Sequence, residues 1–358
     1  MAQQTQRPID EERLNELLAM AINEQGATYY APLIVIGDRL GLYAALADAG
    51  PFTPAALAEY TDTAEPYIDQ WLVAGAAGGY VTYDPETEQY SLTPEQTALL
   101  VDETSPAFVP GGFQGIVGVL RSLPEIEAAF RTGEGVGWHE HDEDVFHGTE
   151  RLFKPGYLTN LVDEWIPALD GVESMLQEGA RVADVGCGYG AATIIMAQAY
   201  PSSTFVGYDY HEESIETARS RAADAGVADR VRFEVATAQA YDGADYDLVT
   251  MFDCLHDMGD PVGAAAHVRE TLAPDGTWLI VEPFANERVE DNFTPVGRVF
   301  YCASTMACTP NSLSQDVGYG LGAQAGETRL RDVATEGGFT HFRRAAETPF
   351  NLVLEAKR

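Results

Sequence analysis

From Gly179 onward, short apolar runs alternate with amphipathic stretches at a regular interval. RVADVG (181–186), TFVGYD (204–209), VRFEVA (231–236), DLVTMF (247–252) and TWLIVEPF (277–284) are rich in β-branched and aromatic residues. Mainly apolar runs of this length fit strands of a sheet covered on both faces. Between them, 192–200, 214–226 and 261–272 carry apolar residues at helical spacing. A helix over 329–339 and a last strand over 350–358 complete the series. Strands alternating with helices predict an α/β domain with a mostly parallel sheet covered on both sides.

The first hundred residues have a different rhythm. Residues 10–25 predict one amphipathic helix, with Leu14, Leu17, Leu18 and Ile22 at helical spacing, and 33–47 predict a second. Thr53-Pro54 opens a short helix over 55–60, and Glu65-Pro66 opens another reaching Tyr80, with Thr53 and Thr63 as candidate caps. In 81–93 two β-prone runs flank Asp84-Pro85-Glu86, which reads as a hairpin. Helices followed by a hairpin are the order of a winged-helix domain. Residues 103–175 are less regular: glycines punctuate an apolar stretch, 131–148 is loop-like, acidic and histidine-bearing, and helical spacing resumes over 158–169. The chain is therefore divided into an N-terminal winged-helix domain (1–102), a connector suited to covering a pocket (103–175) and the α/β domain (176–358).

The most informative run is VADVGCGYG, 182–190, where an apolar strand ends in Asp184 and Gly186, Gly188 and Gly190 follow before a helix. Such glycines permit a tight turn and let a ligand approach the backbone at a helix N-terminus. The next strand ends in Asp209, nineteen residues after Gly190. A carboxylate there is placed to accept from two ribose hydroxyls. The D-x-G-x-G-x-G run with an acid ending the second strand resembles the class I S-adenosylmethionine (SAM)-dependent methyltransferases, over about residues 175–358. The resemblance implies a Rossmann-like domain, SAM as cofactor and S-adenosylhomocysteine (SAH) as product. It assigns Asp184 to the methionine amino end, and Gly186, Cys187 and Gly188 to packing against methionine and ribose. Asp209 would hold the ribose hydroxyls and Tyr210 would lie beside the adenine. Many members carry an Asp after the third strand; here VATAQAY places Thr237 and Ala238 there, with Gln239 next. Asp253, just past the fourth strand, falls on the cofactor side.

That fourth strand runs on into LHDMGD, 255–260. Open α/β sheets bind ligands at the carboxyl ends of their strands. Methyl transfer from a sulfonium needs an in-line nucleophile freed of its proton, and histidine titrates in the right range. The run resembles the HDWSD segment of small-molecule O-methyltransferases, which also carry an N-terminal winged-helix domain used for dimerisation. This extends the resemblance over the whole chain. It implies His256 as general base and Glu282 as the first of two acids orienting it, with Glu327 the nearest match to the second. A small-molecule acceptor with a hydroxyl and a homodimer follow. The residues by themselves leave another role open for His256, a turn cap or a group that only positions substrate.

Composition narrows the alternatives. The chain has 358 residues, 56 acidic against 21 Lys and Arg, a net charge of −35 and only two lysines, Lys154 and Lys357. So acidic and lysine-poor a surface fits a protein working in concentrated salt. Between Leu40 and Leu120 there is no lysine or arginine, and the helix from Glu65 presents Glu65 and Asp69. Such a surface repels DNA phosphates, which weighs against a winged-helix transcriptional regulator and against nucleic-acid substrates. A SAM-binding protein that does not methylate is the remaining alternative. No apolar run approaches the roughly 20 residues that span a bilayer, and the N-terminus does not read as a secretory signal. A cytoplasmic protein with no membrane partner and four reduced cysteines is expected. His139, His141 and His147 are read as belonging to a solvated loop or lid, and no metal is expected. Residues 298–327, glycine-rich and mixed in polarity, read as a substrate-facing insertion or as packing.

Overall fold

The computed structural model describes residues 9–358, and the chain divides into two compact units between Val117 and Gly118. In the first unit, helices α1 (Glu11–Arg39), α2 (Leu42–Ala49), α3 (Pro54–Tyr60) and α4 (Glu65–Ala77) precede the hairpin of β1 (Thr82–Asp84) and β2 (Gln89–Ser91). Next come α5 (Pro94–Leu100) and α6 (Pro110–Arg121), which crosses the division. Asp10 starts α1 by accepting the Arg13 N–H at 3.1 Å. The two helices expected from the pattern are differently divided. One 29-residue helix passes through Gly26 and Pro32, and the break comes at Gly41, whose φ is +67°. Proline inside a helix costs a hydrogen bond, but Tyr30, Ala31, Ile34 and Val35 around it are buried in the unit's core and hold that turn. Leu14, Leu17, Leu18 and Ile22 are exposed. Thr53 caps α3, whereas Thr63 caps nothing: Ala64 occupies the start of α4 and the Thr63 hydroxyl meets that of Thr61 at 2.9 Å.

The second unit contains α7 (Leu123–Thr132), α8 (Glu143–Asn160), α9 (Val172–Glu178), β3 (Arg181–Val185), α10 (Ala191–Ala199) and β4 (Thr204–Asp209). It continues with α11 (Glu212–Asp224), β5 (Val231–Val235), β6 (Tyr246–Phe252), α12 (Pro261–Thr271) and β7 (Leu272–Pro283). The remainder is α13 (Pro295–Ala303), α14 (Thr309–Ser314), α15 (Gly326–Glu336), β8 (His341–Glu347) and β9 (Asn351–Lys357). The seven strands lie in the order β5-β4-β3-β6-β7-β9-β8, and only β9 runs against its neighbours. Two apolar layers, one built on Val182, Met196 and Leu279 and the other on Val249, Ile280 and Val333, enclose the sheet. This is the mostly parallel, Rossmann-like sheet the sequence predicts.

After β3 the chain moves outward to β4 and β5, then returns to β6 on the other side of β3. The carboxyl ends of β3 and β6 thus flank the point where strand order reverses, where open α/β sheets leave a crevice. Two features were not expected. β8 reads HFRRAAE, and its charges suit an edge strand, where exposure favours them. Residues 298–327, expected as an insertion, contain most of α13, all of α14 and a π-helical turn at Ser304–Cys308.

Candidate active site

A cavity of about 700 Å³ opens at that reversal point. Its floor begins with the glycine turn after β3. Gly186, Gly188 and Gly190 have φ of +76°, +52° and +78°, values that L side chains rarely adopt. The turn is tied to β4, since the Gly186 and Cys187 N–H groups both donate to the Tyr208 carbonyl, at 2.8 and 3.0 Å. Gly188 N–H donates to Asp209 Oδ2 and His211 N–H to Oδ1, each at 2.9 Å. One acid therefore fixes the turn and the start of α11, and keeps lone pairs free towards the cavity. Burial raises its pKa, and these backbone donors oppose the rise. Nothing lies within 4 Å of where a Gly188 Cβ would be, which leaves room for a ligand against the backbone.

Asp184, 1% exposed, accepts from the hydroxyls of Thr193 on α10 and Thr250 on β6. Burial pushes its pKa up to about 6 against these bonds. Cys187, Tyr210, Thr237, Ala238 and Gln239 also line the cavity. Asp253, with a φ of +51°, also lines the cavity. There Tyr157 of α8 donates to Oδ2 at 2.9 Å and Asn351 of β9 to Oδ1 at 3.1 Å. Burial, with the charge of Glu282 second, raises its pKa to about 8.

His256 is 3% exposed, behind that wall rather than in it. Its Nδ1 is hydrogen bonded to Glu282, whose other oxygen accepts the Leu255 N–H at 2.8 Å. Its Nε2 lies 3.2 Å from Asp257 Oδ1. That contact is an ion pair out of line for a hydrogen bond, so Asp257 Oδ1 is buried without a hydrogen-bond partner. Burial alone would lower the pKa of the ring, but Asp257 and Glu282 outweigh it and hold the pKa well above the usual range. Asp257, which does line the cavity, is raised by burial and opposed by His256. The ligating atoms of His256, Asp257 and Cys308 lie within 4.8 Å of one another. This is a donor set found around zinc, but both ring nitrogens of His256 already face carboxylates, Nδ1 at Glu282 and Nε2 at Asp257.

Segment 309–322 clamps the turn carrying this group. Asn311 and Gln315 side chains donate to the Asp257 carbonyl at 3.2 and 3.1 Å, and Ser312 to that of Met258 at 2.7 Å. Asn311 Oδ1 also accepts the Trp138 N–H at 2.9 Å, tying in the connector. Trp138, His139, Phe146, Phe153 and Tyr157 close that side of the cavity. The loop histidines do not converge. His139 meets Tyr210 edge-on, His147 packs 5.1 Å from Tyr189, and His141 bonds Ser122 at 2.9 Å.

Glu327 is not part of the site. It lies in the first turn of α15, pairs with Arg331 and Arg344 and does not line the cavity. Asp316 and Asn311 line the cavity instead. Neither stands in a motif, so only the acid-bearing, glycine-rich character of 298–327 pointed their way. The wall carries seven carboxylates and no lysine or arginine.

Residues 176–327 match the family described as methyltransferase domain, and residues 28–102 match the Rv2258c-like winged HTH domain. The chain is 36% identical over 135 residues to the ubiquinone biosynthesis O-methyltransferase of Bordetella avium, 36% of this chain and 52% of that protein. It is 37% identical over 103 residues to the 27-O-demethylrifamycin SV methyltransferase of Amycolatopsis mediterranei, 28% of this chain and 38% of that one. It thus spans about half the length of the first of these relatives and less of the second. In fold it is similar to human N-acetylserotonin methyltransferase in complex with SAM, with a TM-score of 0.71 at 17% identity, covering 100% of this chain and 99% of that one. Mitomycin 7-O-methyltransferase gives 0.70 at 21% identity, covering 97% and 98%.

Proposed function

We infer that this chain, which carries a class I methyltransferase domain behind a winged-helix domain, transfers a methyl group from SAM to a hydroxyl of a small-molecule acceptor. The observation that carries this reading is a single cavity with the Asp209-braced glycine turn on one side and the Glu282–His256–Asp257 group on the other.

The residues fit the cofactor. Gly188 leaves its backbone open to a ligand, and Asp209 keeps acceptor capacity for a ribose diol. Asp184, Cys187 and Asp253 would flank the methionine end, and Tyr210, Thr237 and Ala238 the base. Bound there, SAM supplies a methyl group activated by a positive sulfur. The chain's own work is to orient the acceptor, exclude water and receive a proton. SAM held there would give up its methyl group to the acceptor oxygen and leave as the neutral thioether SAH, and the acceptor hydroxyl would lose its proton. Asp257 is the member of the triad in the cavity wall and receives that proton. His256, held by Glu282, lies behind it and spreads the charge. The base role expected of His256 alone is thus shared, with His256 acting through its neighbour. Trp138, Phe146 and Phe153 offer flat apolar surfaces to an acceptor, and the absence of lysine and arginine from the wall favours one without acid groups.

The exposed apolar residues of α1, Leu14, Leu17, Leu18 and Ile22, support a homodimer formed through the N-terminal domain. Among the described residues no single helix is long and apolar enough to cross a membrane. A cytoplasmic setting and a surface adapted to salt complete the reading. Incubation with methyl-labelled SAM and a panel of neutral phenols and aliphatic alcohols tests it. Label in an ether product, lost in Asp257→Asn, supports the assignment; SAM binding without transfer to any acceptor would favour a non-methylating SAM-binding protein.

A further inference from the structure

The carboxylate of Asp253 is hydrogen bonded only by neutral groups. Tyr157 Oη is 2.9 Å away and Asn351 Nδ2 3.1 Å away, and neither carries a compensating positive charge. A half-buried carboxylate supplied only with neutral donors is harder to ionise than one in water unless a cation arrives. The backbone holds it there with a φ of +51°, a left-handed conformation that aspartate, like asparagine, adopts more readily than most residues. Its place in the sheet matters as much. The cavity spans the ends of β4, β3 and β6, which are consecutive in the sheet. A ribose held by Asp209 at the end of β4 would leave the methionine half of the cofactor to reach past β3 towards the end of β6, where Asp253 stands.

We propose that Asp253 is the residue with which the cavity distinguishes the cationic sulfonium of SAM from the neutral thioether of SAH. The inference rests on the methyltransferase reading and goes beyond it, since it sets how the product differs from the substrate in affinity. SAM and SAH share the same ammonium, carboxylate, ribose and adenine. Their difference at this site is one positive charge and one methyl group. Asp253 ionised stabilises the charged form; once the methyl has left, that stabilisation disappears and the neutral product is held less tightly. Ionisation of Asp253 then follows the cofactor, so SAM binding expels a proton that SAH binding does not. The groups that face Asp253 are Tyr157 on α8, Asn351 on β9, Glu282 on β7, and His256 and Asp257 on the turn after β6. Glu282 and Asp257 raise its pKa and His256 lowers it, and all of them remain when Asp253 alone is changed.

Calorimetric titration of the full chain with SAM and with SAH tests this, in two buffers of different ionisation enthalpy from pH 6.5 to 9. In the wild type, SAM is expected to release about one proton more than SAH near neutral pH. The ratio of SAM to SAH affinity should rise as pH increases. In Asp253→Asn, which keeps the size and tolerates the positive φ, the extra proton should vanish. SAM should bind about tenfold more weakly at pH 8.5 while SAH stays within about twofold. Equal proton release for the two ligands in the wild type overturns the proposal whether or not the variant folds. Equal weakening of both ligands in a folded variant overturns it too. Both failures leave SAM binding intact; binding of neither ligand would instead remove the methyltransferase reading itself.

Discussion

Glu282 and His256, one closing β7 and the other just beyond β6, meet in the interior with a carboxylate oxygen on Nδ1. Both are almost wholly buried. The second oxygen of Glu282 holds the Leu255 N–H at 2.8 Å, so one side chain fixes both the ring and the backbone carrying it. Glu282→Gln keeps an acceptor for Leu255 but places an amide against the ring. Turnover is expected to fall about a hundredfold while SAM still binds, read by steady-state kinetics and calorimetry. The sign of the stability effect follows from the raised folded pKa of His256. Its contribution is present below the ordinary ring value of about 6.5 and is lost as pH rises through the higher folded value. Removing the Glu282 charge lowers that folded value and shrinks the contribution, so the wild type's advantage in melting temperature should be largest below about pH 6.5 and narrow as pH rises through the folded values.

Asp184 gives the opposite kind of test, a carboxyl whose pKa is raised to about 6 in the folded chain. Protonation favours the folded state here, so stability from this group is present below about pH 4 and lost as pH rises through 6. Asp184→Asn should remove that slope. The difference in melting temperature, variant minus wild type, should grow between pH 4 and 7; a constant difference would contradict the assigned shift.

Gly188 and Gly190 separate ligand contact from packing. Both have positive φ, but a Gly188 Cβ meets nothing within 4 Å whereas a Gly190 Cβ falls 2.5 Å from the Phe233 ring. Gly188→Ala should cost about 1–2 kcal/mol of stability from backbone strain and lose SAM binding, because the methyl occupies the ligand's space. Gly190→Ala adds overpacking and should cost about 3 kcal/mol or more. Denaturant unfolding of both variants, with calorimetry of the first, checks the pair.

The net charge of −35 predicts strong self-repulsion at low ionic strength. Screening shortens to about 3 Å at 1 M salt, so the melting temperature should climb between dilute buffer and molar potassium chloride. No rise would contradict adaptation to salt.

Much of this was legible in the sequence because the signals are local. The glycine turn, Asp209 and the apolar strands β3, β4, β6 and β7 each sit in runs whose spacing carries the information. The order of helices and hairpin in the first unit was equally plain, although Pro32 did not break α1 because buried neighbours hold that turn. What the sequence hid was long-range. Tyr157 and Asn351 reach Asp253 from 96 and 98 residues away, and no motif marks such a pairing. Glu327, the acid nearest the expected position, is paired with arginines away from the cavity, while Asp316 lines it; acids are common in this chain, and only the fold tells which one faces the cavity. Asp257 looked like a neighbour of the histidine, and burial of the ring is what places it in front.

The central claim is that this cavity binds SAM through Asp209, and calorimetric titration in high-salt buffer of wild type and Asp209→Ala measures it directly. The account requires binding of SAM and SAH by the wild type with one site per chain, weakened at least about a hundredfold in the variant. A wild type that takes up neither ligand, or a folded variant that binds both as tightly, would contradict it.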